Sequence, residues 1–355
     1  MRVKINKNSL ESIVTNTRSY LEKKDTSSIT SHIFISANNG VLNVKATDYE
    51  IGLTYKQKNV TIIDEGQATA NGKKLLSIIS SLKDGNVTLE TVQNYLYIKQ
   101  NSSKYKLPMY KADDFPNFPN IENKNKFEID SAILSRSLKK IVPCVDSNNN
   151  KFALNGALVD IKNDHVNLVG TDTRRLGIYR IDTNADKEFS LIIPKKAILE
   201  IQKLFYDKIE IYYDENTLIA VSDNFEFFTK LINGKFPDYE RVVPKEIKTR
   251  IRLNRDMMIE GMKTISILSE QMKLTFAPNE IIFESIIEDN SEARTSIEFQ
   301  TGVQENITIS LKNKYLLDFL GSIEESEFDI ELNSPETAFL VVCGNLKTVI
   351  MPIVL

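Results

Sequence analysis

The stretch Leu168–Arg180, LVGTDTRRLGIYR, sets an acid, two hydroxyls and two adjacent arginines at the end of an apolar run. Asp172 between Thr171 and Thr173 has the residue types of an aspartate nucleophile loop, and Arg174 with Arg175 could hold a phosphate through paired donors. Such chemistry ordinarily needs further carboxylates to carry magnesium. It would also gain from a glycine-rich phosphate loop, and neither GxxxxGK[ST] nor GxGxxG occurs in the chain. The chain holds two histidines, His32 and His165, and two cysteines, Cys144 and Cys343, with no CxxC. That pattern disfavours a histidine triad, a zinc site and a disulfide framework. The residues therefore predict no catalytic centre, no metal and no cofactor, and the stretch must be explained by the elements around it.

Those elements repeat. The segments RVKINKNSLESIV, KFEIDSAILSRSL and RIRLNRDMMIEGM begin at Arg2, Lys126 and Arg250, 124 residues apart each time. Apolar residues match at Val3, Phe127 and Ile251, at Ile5, Ile129 and Leu253, and at Leu10, Leu134 and Met258. Between them stand Asn6, Asp130 and Asn254, each suited to cap a helix. Each segment reads as a strand, a capped turn and a helix. Further along, Thr47-Asp48 matches Thr171-Asp172, and Thr295-Ser296 occupies the third place at the same spacing. NGKKLLSIISSLK, PKKAILEIQKLF and LKNKYLLDFLGSI predict a second helix per unit from apolar spacings of three and four. The short alternating segments between, such as NVTLE, YLYIKQ and FDIEL, suit strands. Proline-bearing stretches, DDFPNFPN and GKFPDYERVVP, close the first two units. The expectation is an α+β chain of three similar domains, 1–120, 121–245 and 246–355, each with two helices packed on antiparallel sheets.

The 355-residue chain has a net charge of -3, which by itself argues against a nucleic-acid partner. The six helix windows 9–24, 71–83, 130–141, 195–205, 254–268 and 312–323 nevertheless hold 16 Lys and Arg against 7 Asp and Glu. Solvated helix faces often carry lysines. The sharper reading turns these helices towards a polyanion and leaves acidic sheets to solvent. Candidate contacts are Lys24, Lys73, Lys74, Arg136, Lys139, Lys140, Lys195, Lys196, Lys203, Lys312 and Lys314. Lysine is a flexible point charge that prefers no base, and the scarcity of interleaved aromatics favours duplex backbone over stacked single strands. No apolar run approaches the ~18 residues of a membrane span, and the alternating N-terminus is unlike a secretory signal, so a cytoplasmic protein is expected.

ATDYEIGL, DDFPNF, LNGALV, GTDTRRLGIY, GKFPDYERVVP, SILSEQ and the terminal VIMPIVL, taken in order over the whole length, resemble the bacterial sliding clamp family, the beta subunit of the replicative DNA polymerase. The resemblance implies the DNA clamp fold and a head-to-tail homodimer that closes into a ring around duplex DNA without sequence specificity. It implies no catalytic activity but processivity for the replicative polymerase alpha subunit. It also implies docking of clamp-loader subunits, other polymerases and repair proteins through a short peptide. The implied pocket takes in Leu154, Thr171, Thr173, Arg174, Leu176, Pro237, Val242, Val349, Met351, Pro352 and Ile353, with Arg175 and Arg241 at its edge. Asn148 joins the implied DNA contacts. The seam is implied near Tyr105 and Leu107 of one subunit and Ile267 and Leu268 of the other. The chain departs from the family where Thr173-Arg174 replace the usual Gly-His, Lys151 replaces an arginine and Val354 replaces the penultimate arginine, which implies an altered peptide preference. The competing reading is a repeat scaffold that binds proteins only.

Overall fold

The computed structural model describes every residue except Thr26, Glu128, Ile129, 185–187, 206–208, 287–290 and Leu355. Ile129, one of the matched apolar positions, lies outside the described residues. Six α-helices appear among them: α1 (Lys7–Thr17), α2 (Gly72–Ser81), α3 (Ser131–Ile141), α4 (Lys195–Leu204), α5 (Arg255–Ser266) and α6 (Asn313–Ser322). This is two per sequence repeat. The caps explain the starts: the Asn6 side chain accepts from the Asn8 and Ser9 amides, and Asn254 accepts from the Met257 amide, each satisfying a helix N–H that would otherwise lack a partner.

The chain packs as two compact units. The first comprises Met1–Ser131 with Tyr206–Leu231, and the second Ala132–Phe205 with Ile232–Leu355. The middle repeat is thus divided between them. In the first unit, an antiparallel five-stranded sheet runs in the order Thr61–Asp64, Arg2–Asn6, Asn86–Val92, Tyr95–Gln100 and Ser103–Pro108. Its alternation is legible in the sequence, with Val3, Ile5, Val87, Leu89, Leu96 and Ile98 all buried while their neighbours face outwards. An eight-stranded sheet in the same unit joins the first repeat to the second where Phe225–Lys230 pairs with Ile51–Gln57.

The second unit repeats the device. Its eight-stranded sheet runs Phe189–Pro194, Gly156–Ile161, His165–Thr171, Arg175–Asp182, Leu346–Ile350, Phe339–Cys343, Glu327–Leu332 and Thr249–Asn254. The ladder between Arg175–Asp182 and Leu346–Ile350, with Leu176 opposite Val349, joins the second repeat to the third by main-chain hydrogen bonds. A four-stranded sheet completes the unit.

One equivalence expected from the spacing fails. Thr295-Ser296 do not form the third copy of the Thr-Asp turn, because they lie inside the strand Arg294–Glu298, opposite Phe283 and Ile282. The third repeat is shorter ahead of this point: its first helix ends at Ser266 and the next strand starts at Gln271, against Thr17 to His32 and Ile141 to Gly156 in the other two, so a constant offset overshoots the connection that follows Ser285.

Candidate functional site

The strand ladder Leu176↔Val349 brings Leu154, Leu176 and Val349, far apart in sequence, into one buried apolar cluster of the second unit, with Phe236 and Tyr239 from GKFPDYERVVP. Tyr239 is fixed at its polar end: its hydroxyl donates to Asp160 Oδ2 at 2.8 Å and accepts from Asn167 Nδ2 at 3.0 Å. Burial pushes that phenol well above its ordinary value, with Asp160 adding to the rise. The three wall residues nearest the ladder are core rather than surface. Of the other expected wall residues, Pro237 is exposed, Val242 and Met351 are 56% and 46% exposed, and Pro352 and Ile353 are half-buried. Phe152, 75% exposed beside Leu154 in sequence, is a further apolar side chain that the spacing did not single out. Arg241 extends into solvent, paired with Asp238 at 2.7 Å.

The opening stretch supplies a turn. Thr171 Oγ1 donates to the Arg175 carbonyl at 2.7 Å, and Asp172 Oδ1 accepts from the Arg174 and Arg175 amides at 3.0 Å each. The acid is spent on backbone amides and on Arg175, which is how a short polar side chain builds a turn rather than a nucleophile. Thr173 sits at the apex with φ 73°, a left-handed conformation that a β-branched residue rarely adopts. Glycine would take this conformation without strain. Arg174 is exposed, and its carbonyl accepts from the Met351 amide at 3.0 Å, tying the turn to the C-terminal segment.

Arg175 is not at the edge, contrary to expectation. Its side chain is 3% exposed, because it has three acceptors inside the fold: Nε donates to Asp172 Oδ2 at 3.0 Å, Nη1 to Asp318 Oδ2 at 2.8 Å and Nη2 to the Pro143 carbonyl at 2.5 Å. The guanidinium also lies 4.7 Å from the Tyr315 ring. Burial opposes its charge, yet the neighbouring Cys144, Asp318 and Asp172 carry its pKa upward. Pro143 can approach because Gly170 and Gly177 face each other across the hairpin: a Cβ on Gly170 would stand 2.6 Å from Val145 Cγ2, and one on Gly177 2.9 Å from Cys144 Sγ. Cys144 is an inert thiol in this packing, pushed up to about 12 by burial.

The candidate cations divide into groups. On α3, Arg136 and Lys139 are exposed and line a groove of about 880 Å³ with Ile133, Leu317 and Ile323; Lys140, also in it, lies 5.1 Å from the Tyr179 ring. Lys195 is a correction. Its ammonium is half-buried and donates to the Val145 carbonyl at 2.5 Å and to Ser147 Oγ at 3.0 Å, so it braces a loop, and burial lowers its pKa. Lys203 is exposed but paired with Glu200 at 2.6 Å, and Lys314 with Asp318 at 2.7 Å. Lys24, Lys196, Lys312 and Asn148 are exposed, Asn148 in a turn held by Asp146. Lys73 and Lys74 line a different groove, about 770 Å³ in the first unit, together with Leu21, Ile78 and Leu107. Leu107 is buried in its wall and Tyr105 half-buried on the same edge strand. Ile267 and Leu268, by contrast, are 82% and 53% exposed just past α5. Among the described residues no cluster of His, Cys, Asp and Glu could hold a metal ion, and no helix is long and apolar enough to cross a membrane.

Family models for the N-terminal, central and C-terminal domains of the DNA polymerase III beta subunit match residues 1–119, 128–238 and 240–354. The chain belongs to the DNA polymerase III beta subunit family. The beta sliding clamp of Helicobacter pylori strain J99 is 37% identical over 374 residues, covering all of both chains. That of Buchnera aphidicola subsp. Rhopalosiphum padi is 30% identical over 89% of each. A crystal structure of the Helicobacter pylori beta clamp bound to a DNA ligase peptide superposes with a TM-score of 0.94 at 37% identity, both chains fully covered. Against this family background, the three repeats are the clamp's domains, and the fold is the three-domain clamp fold expected from the sequence.

Proposed function

We propose that this chain is the subunit of a DNA sliding clamp: a head-to-tail homodimer that closes around duplex DNA, holds the replicative polymerase on it and docks other proteins by short peptides. The modules are 1–120, 121–245 and 246–355. The observation that carries the docking half is the convergence of residues from two repeats on one apolar cluster. Leu154, Leu176 and Val349 form its floor; in this reading the exposed Pro237, Val242 and Met351 serve as its apolar rim, with Arg174 and Arg241 as the polar groups beside it. An apolar floor with polar groups around it is what an aromatic or leucine anchor requires. A relative 37% identical has a DNA ligase peptide bound, which supports the same use here.

The encirclement half is supported by exposed cations on helices of a chain whose net charge is negative. Backbone contacts of this kind carry no sequence information and weaken with salt, so topology rather than affinity retains the ring. The seam joins Ile267 and Leu268 of one subunit to the Leu107 groove of the other, where Lys73 and Lys74 serve the seam rather than the duplex. Two heterologous contacts close a ring when the rotation is right. The chain acts as a processivity subunit in the cytoplasm, without chemistry of its own. The deciding experiment loads the protein on nicked circular DNA and follows co-elution after linearisation. Persistence on circles and loss from linear ends is expected; equal residence on both would favour a scaffold that binds proteins only. Charge reversal at Arg136, Lys139 and Lys196 should lower polymerase processivity, and unchanged processivity would point the same way.

A further inference from the structure

The chain contains its own control for the docking turn. In the first repeat, Thr47 Oγ1 donates to the Ile51 carbonyl at 2.7 Å, and Asp48 Oδ1 accepts from the Glu50 and Ile51 amides at 3.1 Å each. The apex residue Tyr49 has φ 73°, the same value as Thr173. The two turns share every main-chain feature, yet the first ends on Ile51 where the second ends on Arg175. Backbone and Asp therefore suffice to shape such a turn, and the arginine must add something else.

What it adds is attachment. Arg175 spends its guanidinium on Asp172 inside the turn, on the Pro143 carbonyl after α3, and on Asp318 of α6. These three acceptors belong to separate segments, and Asp318 is in turn gripped by Lys314 at 3.0 and 2.7 Å. Replacing a buried ion pair by apolar groups is often neutral for stability, so stability alone does not account for this arrangement. A planar fork with fixed donor directions does set position. The adjacent Arg174 holds Met351 through its carbonyl, so any tilt of the turn moves Thr173, Arg174 and Met351 together.

We propose that Arg175 is a positioning residue for peptide docking: by tying the Thr171–Arg175 turn to Asp318 of α6 it fixes where Arg174 and Met351 stand over the apolar cluster, so that a change of charge on α6 is felt as a change in peptide affinity. This rests on the docking reading given above. Neither Arg175 nor Asp318 touches the peptide; both act through the turn.

The test is a double-mutant cycle with Arg175→Met and Asp318→Asn in the full-length dimer. The probe is the fluorescein-labelled DNA ligase peptide of the Helicobacter pylori complex, followed by anisotropy at a temperature where all four proteins are folded. Each single change should weaken binding about tenfold, within the range reported for residues that touch neither ligand. The double variant should be no weaker than either single one, because both cut one link. Arg175→Lys, which keeps the charge but has three donors on a flexible stem, should restore binding only in part. A purely structural arginine would lower the melting temperature and leave affinity within twofold of wild type, and that result overturns the proposal. Additive losses in the double variant overturn it too. Failure of the wild-type dimer to bind the peptide is a separate result, and it removes the docking reading on which the proposal stands.

Discussion

Ile267 and Leu268 expose more apolar surface than two neighbouring residues of a folded domain ordinarily do, 82% and 53% of their respective areas. Full burial of such a side chain stabilises by about 2 kcal/mol. Scaled by the exposed fractions, covering both in the proposed seam would contribute about 2.7 kcal/mol, and a ring with two such seams about 5.4 kcal/mol. Changing both to alanine removes most of that, which corresponds to a dimer dissociation constant raised by roughly three orders of magnitude. Sedimentation velocity over a concentration series reads this directly: the wild type stays dimeric on dilution while Ile267→Ala/Leu268→Ala becomes a monomer. Because both side chains stand outside their own core, the monomer's melting transition should change little once dissociation is allowed for. An unchanged dimer constant would refute the seam assignment. A large loss of intrinsic monomer stability would show instead that these residues pack within their own subunit.

Four further outcomes are expected. His32 is buried with Nδ1 unpartnered, and burial together with Lys74 lowers its pKa to about 4; the neutral form is the folded one, so the unfolded chain takes up its proton first as pH falls below the usual 6.5. Wild type should therefore lose about 2 kcal/mol more than His32→Phe between pH 7 and 5, and parallel melting-temperature losses in both proteins would contradict this. Thr173→Gly relieves a left-handed β-branched residue and should stabilise by about 1 kcal/mol, against which a lowered melting temperature would count. Arg136→Gln/Lys139→Gln should flatten the slope of log binding constant against log salt on duplex DNA by about 1.8 per subunit engaged, about 3.6 when both subunits of the dimer contact the duplex, and an unaltered slope removes them from the contact set. Gly177→Ala drives a methyl to 2.9 Å from Cys144 Sγ and should cost about 1–3 kcal/mol; a neutral effect in a chemical denaturation curve would mean that the Val142–Cys144 segment gives way.

What the sequence disclosed and what it withheld divide by the range of the forces involved. The strand, cap and helix at each repeat start are set by neighbours within a turn or two, which is why Asn6 and Asn254 could be read as caps and are found accepting helix amides. The Thr-Asp turns were visible as a repeated pair for the same reason, since Asp172 satisfies amides only two and three residues away. A fixed offset, however, measures chain length and not register, and it misplaced the third turn at Thr295-Ser296 because the connection from Ser266 to Gln271 is shorter than its counterparts. Charge was the least legible property. Lys195, Lys203 and Arg175 look alike in sequence to Arg136 and Lys139, yet the first three are engaged by a loop carbonyl, a helix neighbour and an aspartate 143 residues away. A cation's partner is chosen by tertiary approach, and at Arg175 that approach depends on two glycines, Gly170 and Gly177, that leave room for Pro143. The arginine and the glycines are therefore one feature: remove the space and the carbonyl retreats, the guanidinium loses an acceptor, and a buried charge is left under-satisfied at the base of the Thr171–Arg175 turn.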